Sequence, residues 1–192
     1  MGSARSERLR TRMVAYFLLL LTTLVFLPSI NGDFIWDDVF YIKNNPLLAT
    51  TEGLSHIWFN LEATSQYYPL TFTTFWIEFH VWHLWPGGYH LVNILLHGVN
   101  AILLWQLLLH VKIPGAWFAA AIFALHPVQV DSVAQISERK NVLSLLFYLA
   151  ALFSYFRFSL LDQPSTTQTS RSWSAYSVSI LLFLCAFLPI VH

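Results

Sequence analysis

Apolar stretches long enough to cross a bilayer are the feature that most constrains how this chain folds. The first is "MVAYFLLLLTTLVFLPSI" at residues 13–30. Only 10% of the 192 residues are charged and 56% are hydrophobic, whereas in soluble domains roughly a quarter of all residues are charged. In lipid, a backbone without internal hydrogen bonds is too costly, so such stretches cross as helices. The sequence therefore predicts an all-α integral membrane protein with about five transmembrane helices.

The remaining apolar stretches divide the chain. We expect a basic cytoplasmic N-terminus at 1–12, a first span at 13–30 and an outer loop at 31–87. Residues 88–158 then contain spans two to four, at 88–111, 116–130 and 142–158, together with a second outer loop. A cytoplasmic loop at 159–172 and a fifth span at 173–192 complete the predicted layout. The segment 69–85 is aromatic, but Glu78, His80 and His83 make it expensive at mid-bilayer. It is predicted to lie in the membrane interface, as is a shorter helix at 54–61.

The basic residues predict the orientation. With a cytoplasmic N-terminus, seven of the ten lie inside, namely Arg5, Arg8, Arg10, Arg12, Lys112, Arg157 and Arg171. Lys43, Arg139 and Lys140 then lie outside, in agreement with the positive-inside rule. The long first loop therefore faces the bacterial periplasm or the lumen of the endoplasmic reticulum. A formal net charge of zero gives no reason to expect a nucleic-acid partner.

Two adjacent acids, Asp37 and Asp38, follow the first span within "GDFIWDDVFYIKNNPLL". One interpretation is structural: an aspartate before "VFYIKN" is a good N-cap. The other is a carboxylate near the membrane plane that acts as a base. Because neighbouring side chains point in different directions, at most one of the two aims straight into a site, and the other orients it or caps a helix.

A polar stripe runs along the second span. His90, Asn93, His97 and Asn100 are spaced by three, four and three residues and so share one helix face. Such stripes commonly form hydrogen bonds to neighbouring helices. Ionisable groups inside a span also mark functional cavities, so His90 is a candidate cleft residue.

The second outer loop, residues 125–144, supplies cations that need an anion. Arg139 and Lys140 stand at the predicted start of a helix, where the helix dipole disfavours positive charge. They pair locally with Glu138 or Asp131, or they bind a phosphate. His126, Asp131 and Glu138 would line the same cleft. A metal shared by Asp37, Asp38, His126 and Asp131 is an alternative, although the spacing matches no standard metal motif.

Three segments together carry a family resemblance: "FIWDDVFYIKNNPLL", "YYPLTFTTFWIEFHVWHLWPGGYHLVNILLHGVNAILLW" and "AAAIFALHPVQVDSVAQISERKNVLSLLFYLAALFSYFR". In this order they resemble the N-terminal membrane region of transmembrane proteins with tetratricopeptide repeats, whose relatives include eukaryotic protein O-mannosyltransferases. The resemblance covers about residues 13–160. Such relatives continue through further spans into the repeats, so the chain is expected to be a truncated form or an N-terminal part.

The resemblance implies a glycosyltransferase of the C type, here as a partial fold. Such enzymes transfer a sugar, mannose among them, from a polyprenyl-phosphate carrier to a protein Ser or Thr hydroxyl on the outer or luminal face. Asp37 or Asp38 would then be the catalytic carboxylate, while Arg139 and Lys140 would bind the donor phosphate. A divalent metal is neither indicated nor excluded. A scaffold that keeps this fold without catalysis is the alternative function, and a transporter fits less well because the ionisable groups cluster at the outer rim.

Overall fold

The computed structural model describes residues 2–160 and 173–189, which form helices and connecting turns. The α-helices are α1 (Gly2–Phe26), α2 (Thr51–Phe59), α3 (Pro69–Trp82), α4 (Pro86–His110), α5 (Ala116–Leu125), α6 (Gln129–Ala134), α7 (Arg139–Leu160) and α8 (Trp173–Phe187). Short 3₁₀ segments at Leu27–Asn31 and Pro46–Ala49 and a π-helical turn at Val39–Lys43 join them. Of the predicted loop at 159–172, residues 161–172 lie outside the described part, as do residues 190–192 of the predicted fifth span.

Within residues 2–160 and 173–189, three helices are long and apolar enough to cross a membrane: Leu9–Asn31, Pro86–His110 and Arg139–Ser159. They correspond to the first, second and fourth predicted spans. The predicted third span ends early, because α5 has only 10 residues. At about 1.5 Å per residue it covers about 15 Å, half the thickness of the hydrocarbon layer. A count of five spans is therefore not confirmed, while the all-helical, membrane-like architecture is.

Local sequence signals place the helix starts. The Thr50 hydroxyl caps α2 by accepting a 3.0 Å hydrogen bond from Gly53 N. Pro69 and Pro86 open α3 and α4, where a missing N–H costs nothing. Helices were predicted near α2 and α3, and α3 is not among the described helices that could span. Its charged and polar residues thus sit in a short helix of the first loop.

Helices α1 and α4 approach each other closely at Gly98. A Cβ placed there would lie 2.5 Å from Leu19 Cδ1, so the small residue lets the two helices pack. The buried cluster beside this contact contains Leu18, Trp105, Ala116, Ala120 and Ala121. It fixes the start of α5 against the first two spans.

A second, aromatic core holds the first loop against α3 and α4. Its buried members include Tyr41, Tyr68, Phe72, Phe75 and Tyr89. Their rings meet edge-on or tilted, as in the 5.2 Å pair of Tyr41 and Phe72, and such pairs add to the gain from burial. Ile136 of the second loop joins the same core. The two predicted outer loops are therefore packed into one body.

The polar stripe on α4 forms hydrogen bonds to the segment that contains α5, α6 and the start of α7, where the helix is interrupted. Asn93 Nδ2 lies 3.0 Å from the Gln135 carbonyl, and His97 Nε2 lies 3.1 Å from that of Ala124. Asn100 Nδ2 donates to the Val142 carbonyl at 2.8 Å. Backbone that leaves helical geometry at membrane depth needs such partners. Three of the four stripe residues thus make the expected bonds to neighbouring segments.

Candidate functional site

Asp38 joins the two loops that the sequence predicts to lie on the outer side. It is fully buried, and its Oδ1 accepts a 2.6 Å hydrogen bond from Ser137 N, 99 residues further along the chain. Its Oδ2 accepts a second bond from Ile35 N at 3.2 Å. Although Asp38 precedes the turn at Val39–Lys43, its side chain makes no capping bond there. The capping interpretation is therefore wrong for Asp38, which joins the loops instead.

Asp37 has the opposite environment, because its side chain is exposed on the same turn of chain. Its charge acts on the buried Tyr41 and on Tyr68. Glu138 of the second loop acts on both tyrosines as well. Asp37 thus stands at a polar surface to which both outer loops contribute. We call this surface the acidic–aromatic rim and define it by Asp37, Tyr41, Tyr68, Glu138 and Lys140.

Lys140 supplies the positive charge of the acidic–aromatic rim. Its Nζ lies 2.8 Å from Glu138 Oε1, in a partly exposed ion pair. The ammonium also stands 5.6 Å from the centre of the Tyr68 ring and 6.0 Å from that of Tyr41. Aromatic faces attract a cation at such distances. Since an ammonium has three donors, Lys140 can keep Glu138 and still present hydrogens to an anion at the rim.

The tyrosines of the rim stay protonated. Burial, reinforced by the negative charges of neighbouring groups, raises the pKa of Tyr41 to about 12. Burial also raises the pKa of Tyr68, against the opposing effect of Lys140. The Tyr41 hydroxyl donates a 2.6 Å hydrogen bond to Gln66 Oε1. These side chains therefore act as fixed walls and hydrogen-bonding groups, and not as bases near neutral pH.

Arg139 does not face the rim but lies wholly inside the protein. Its donors reach Asn93 Oδ1 at 2.7 Å, the Tyr89 carbonyl at 2.8 Å, Thr74 Oγ1 at 3.3 Å and the Glu78 carboxylate. The guanidinium also lies 4.9 Å from the centre of the Phe75 ring. All its nitrogens are thus bonded within the protein, and none is presented to a ligand in this structure.

The anion that compensates Arg139 comes from α3 and not from the local loop. Glu78 lies 61 residues earlier in the chain and is itself almost completely buried. Burial raises the pKa of Glu78, and the neighbouring guanidinium opposes that rise. Of the two expected local pairings, only that of Lys140 with Glu138 is present.

The other predicted cleft residues are dispersed. His126 is exposed and lines an apolar groove with α5 residues such as Trp117 and Phe118, away from the acidic–aromatic rim. Asp131 is exposed on α6. His90 is buried beside Gly32 and within electrostatic range of Asp38. Residues 2–160 and 173–189 contain no group of three or more His, Cys, Asp or Glu side chains that could hold a metal ion. The shared metal site is therefore not formed there.

Sequence reasoning missed Glu78, Tyr41 and Tyr68 as members of the site and its support. A signal for Glu78 was present: a lone acid in an apolar, aromatic helix requires a buried cation. The lone outer cations offered the matching half of that pair. No comparable signal marked the tyrosines, because aromatic residues are abundant throughout the chain at 17%.

The chain is similar to several proteins named protein O-mannosyl-transferases. One, from Caenorhabditis elegans, is 33% identical over 162 residues, or 77% of this chain and 23% of that relative. TMTC4 of Mus musculus is 30% identical over 183 residues, or 81% of this chain and 24% of the relative. The tmtc2 protein of Xenopus laevis is 32% identical over 145 residues, or 70% and 17% of the respective chains.

The chain therefore spans less than a quarter of the length of each of these relatives. No family model matches it, and no solved structure does. The similarity nevertheless includes most of this chain, and these relatives belong to the same group of proteins that the three quoted segments resemble. What the relatives' name describes is a transfer of mannose to protein.

Proposed function

This chain carries a membrane region of the family of transmembrane and tetratricopeptide-repeat proteins, and on that premise we propose that the acidic–aromatic rim is part of a sugar-transfer site. The reaction is transfer of a sugar, with mannose as the candidate that the relatives' name supplies, from a polyprenyl-phosphate carrier to a Ser or Thr hydroxyl of a protein. The rim faces the periplasm or the lumen of the endoplasmic reticulum, with the N-terminus in the cytoplasm.

The observation that carries this proposal is the split between the two adjacent carboxylates. Asp38 is buried and bonded to Ser137 N, whereas Asp37 is exposed beside the rim tyrosines. The bond of Asp38 brings the first loop to the second, where Glu138 and Lys140 lie. An accessible carboxylate and an accessible ammonium are thereby held on one surface at the end of the first span.

These groups have complementary roles in an inverting displacement. Asp37 accepts the proton of the acceptor hydroxyl, whose oxygen attacks the anomeric carbon of the sugar. The bond from that carbon to the phosphate oxygen breaks, and the electron pair leaves with the lipid phosphate. Lys140 stabilises the negative charge that develops on this phosphate. Asp38 is a positioning residue, since its two oxygens already accept backbone N–H groups.

Arg139 takes a different role in this proposal from the one its sequence position indicated. We assign it to the support of the rim, because its guanidinium is bonded to Asn93, Glu78 and Tyr89 inside the protein. Since Lys140 follows it directly in α7, the burial of Arg139 directs the lysine toward the rim. Donor-phosphate binding then rests on Lys140 alone among the two predicted cations.

A transfer assay tests the proposal. The chain is reconstituted in liposomes with a mannosyl-phosphoryl-polyprenol and a Ser/Thr-containing acceptor peptide. Asp37→Asn should reduce the rate by roughly 10²–10⁴-fold, the usual contribution of a general base. Lys140→Gln should reduce it by roughly 10²–10³-fold. Glu52→Gln and Lys43→Gln are matched controls, because both side chains are exposed in the first loop outside the rim.

Three results would contradict the proposal. A rate for Asp37→Asn equal to that of the Glu52→Gln control would show that Asp37 is not the catalytic carboxylate. A wild-type rate for Lys140→Gln would show that Lys140 does not stabilise the departing lipid phosphate. A wild-type chain that binds the carrier lipid but transfers no sugar would leave the binding-scaffold function in its place.

A further inference from the structure

A large cavity opens at the opposite end of the molecule from the acidic–aromatic rim. It measures about 1060 Å³ and lies between the beginning of α1, the end of α4 and the start of α5. Asp37 follows the C-terminal end of the first span, whereas this cavity is lined by its first residues. Its volume lies slightly above the range of about 300–1,000 Å³ that ligand pockets commonly have. It plays no part in the proposed transfer.

The walls of the cavity are apolar and continuous with the membrane-facing surface. Met13 and Leu109 line it and are 64% and 48% exposed. Trp117 of α5 stacks on Phe17 of α1, with ring centroids 6.2 Å apart. Trp105 closes the inner side as part of the buried cluster between α1, α4 and α5. An acyl chain is the occupant that matches such a wall inside a bilayer.

The mouth of the cavity is positive. Arg10 lines it one residue after Leu9, where the part of α1 that is long and apolar enough to cross a membrane begins. Arg5 and Arg12 lie on the same end of α1, and Lys112 lies in the turn that leads from α4 to α5. Among the described residues that line the cavity there is no carboxylate to neutralise Arg10. The charge at the mouth is therefore complementary to an anion at headgroup depth.

We propose that this cavity binds one anionic phospholipid from the leaflet on the N-terminal side of α1. The phosphate lies at Arg10, and one acyl chain follows the groove between α1 and α5 past Met13 and Trp117. Apolar walls account for the chain, and the cation at the mouth accounts for the choice of headgroup. A zwitterionic lipid would fill the same walls but would leave the charge at the mouth uncompensated.

Tryptophan quenching by brominated lipids tests the site, because Trp105 and Trp117 line the cavity. The chain is reconstituted in phosphatidylcholine bilayers, and either dibrominated phosphatidylglycerol or dibrominated phosphatidylcholine is added. In the wild type, phosphatidylglycerol should associate preferentially. Arg10→Gln should lower that preference about fivefold, the effect expected for one cation at a membrane surface. Arg157→Gln, which removes an exposed cation near the end of α7 away from the cavity, should leave the preference within about twofold.

Trp117→Phe locates the lipid. Since this variant keeps the cavity but loses one of its two reporters, the quenching that depends on phosphatidylglycerol should decrease. Equal association of the two lipids with the wild type would overturn the proposal. So would an effect of Arg157→Gln as large as that of Arg10→Gln, which indicates general attraction by the leaflet. Unchanged quenching by phosphatidylglycerol in Trp117→Phe would place that lipid elsewhere, and if Trp117→Phe left the quenching by both lipids unchanged, another segment or copy of the chain would fill the groove.

Discussion

Removal of Arg139 should destabilise this protein more than removal of any exposed cation. The side chain has no exposed surface, and its partner Glu78 is 6% exposed. Deleting one member of a buried ion pair leaves the other charge without compensation, at a cost of about 3–5 kcal/mol. Asn93 Oδ1 and the Tyr89 carbonyl lose a donor at the same time. We expect Arg139→Met to lower the free energy of unfolding by about 3–5 kcal/mol, a large part of the roughly 5–15 kcal/mol typical of native proteins.

Urea or SDS unfolding in mixed micelles, followed by tryptophan fluorescence, measures this change. Lys140→Met is the matched control, because it removes the cation of the next residue along α7 and breaks a partly exposed ion pair with Glu138. Exposed pairs contribute about 0–1 kcal/mol. The two substitutions have the same chemistry and adjacent positions, so the difference between them reports burial and partners rather than loss of positive charge.

The cost of Arg139→Met should also depend on pH. Burial already raises the pKa of Glu78, and loss of the guanidinium removes the effect that opposes this rise. Above the usual value of 4.5, folded Glu78 then keeps a proton that the unfolded chain releases. Because the folded state binds more protons, stability falls as pH rises from 4.5 through the raised pKa. The variant should lose more stability across this window than the wild type does.

A double variant decides whether the pair is the cause. Glu78→Gln combined with Arg139→Met removes both charges of this pair, so the double variant should cost less than the sum of the two single substitutions by about 0.5–3 kcal/mol, the usual coupling of contacting residues. If Arg139→Met costs no more than Lys140→Met, or if the double variant shows only the sum of the two single costs, the assignment of Arg139 as a buried, paired anchor is refuted.

Three further predictions concern the same framework. Asn93→Leu should cost about 1–3 kcal/mol in the same unfolding assay, because it leaves the Gln135 carbonyl and Arg139 Nε without their Asn93 partner; a neutral result would mean that water or another group reaches both. Gly53→Ala should cost about 1–3 kcal/mol, because the new Cβ would lie 1.8 Å from the backbone oxygen of Leu47. Gly98→Ala is the control and should cost under about 1 kcal/mol, because the nearest atom there is the end of the flexible Leu19 side chain. Between pH 10.0 and about 12 the wild type should lose stability that Tyr41→Phe does not, since folded Tyr41 keeps its proton longer than the unfolded chain; equal pH profiles would contradict this.

The sequence predicted those features that depend on local composition and periodicity. Three apolar helices lie where long apolar stretches were found, and the stripe on α4 bonds to neighbouring segments through Asn93, His97 and Asn100. The predicted third span was too long. The stretch 116–130 is mostly apolar, but the helix ends at Leu125 before the His–Pro sequence, since the residue before a proline disfavours helical geometry.

Long-range pairing is what the sequence did not reveal. Arg139 was expected to find an anion in its own loop or in a ligand, yet its partner Glu78 lies on a different helix. Composition indicates that a lone acid in an apolar helix needs a buried cation, but it does not specify which base that acid meets across 61 residues. The same applies to the two aspartates: adjacency predicts that they face different surroundings, but only the hydrogen bond to Ser137 N shows that Asp38 is the one turned inward.

Both halves of the rim follow one arrangement, in which an exposed or partly exposed ionisable residue is adjacent to a buried one that anchors the backbone. Asp37 stands beside the anchor Asp38, and Lys140 stands beside the anchor Arg139. Loss of an anchor displaces its exposed neighbour, so it would lower activity even if only the neighbour touched the substrate. Substitutions at Asp38 or Arg139 therefore cannot identify the reacting groups. Substitutions at Asp37 and Lys140 can, because they change the exposed charge and leave the bonds of the anchors in place.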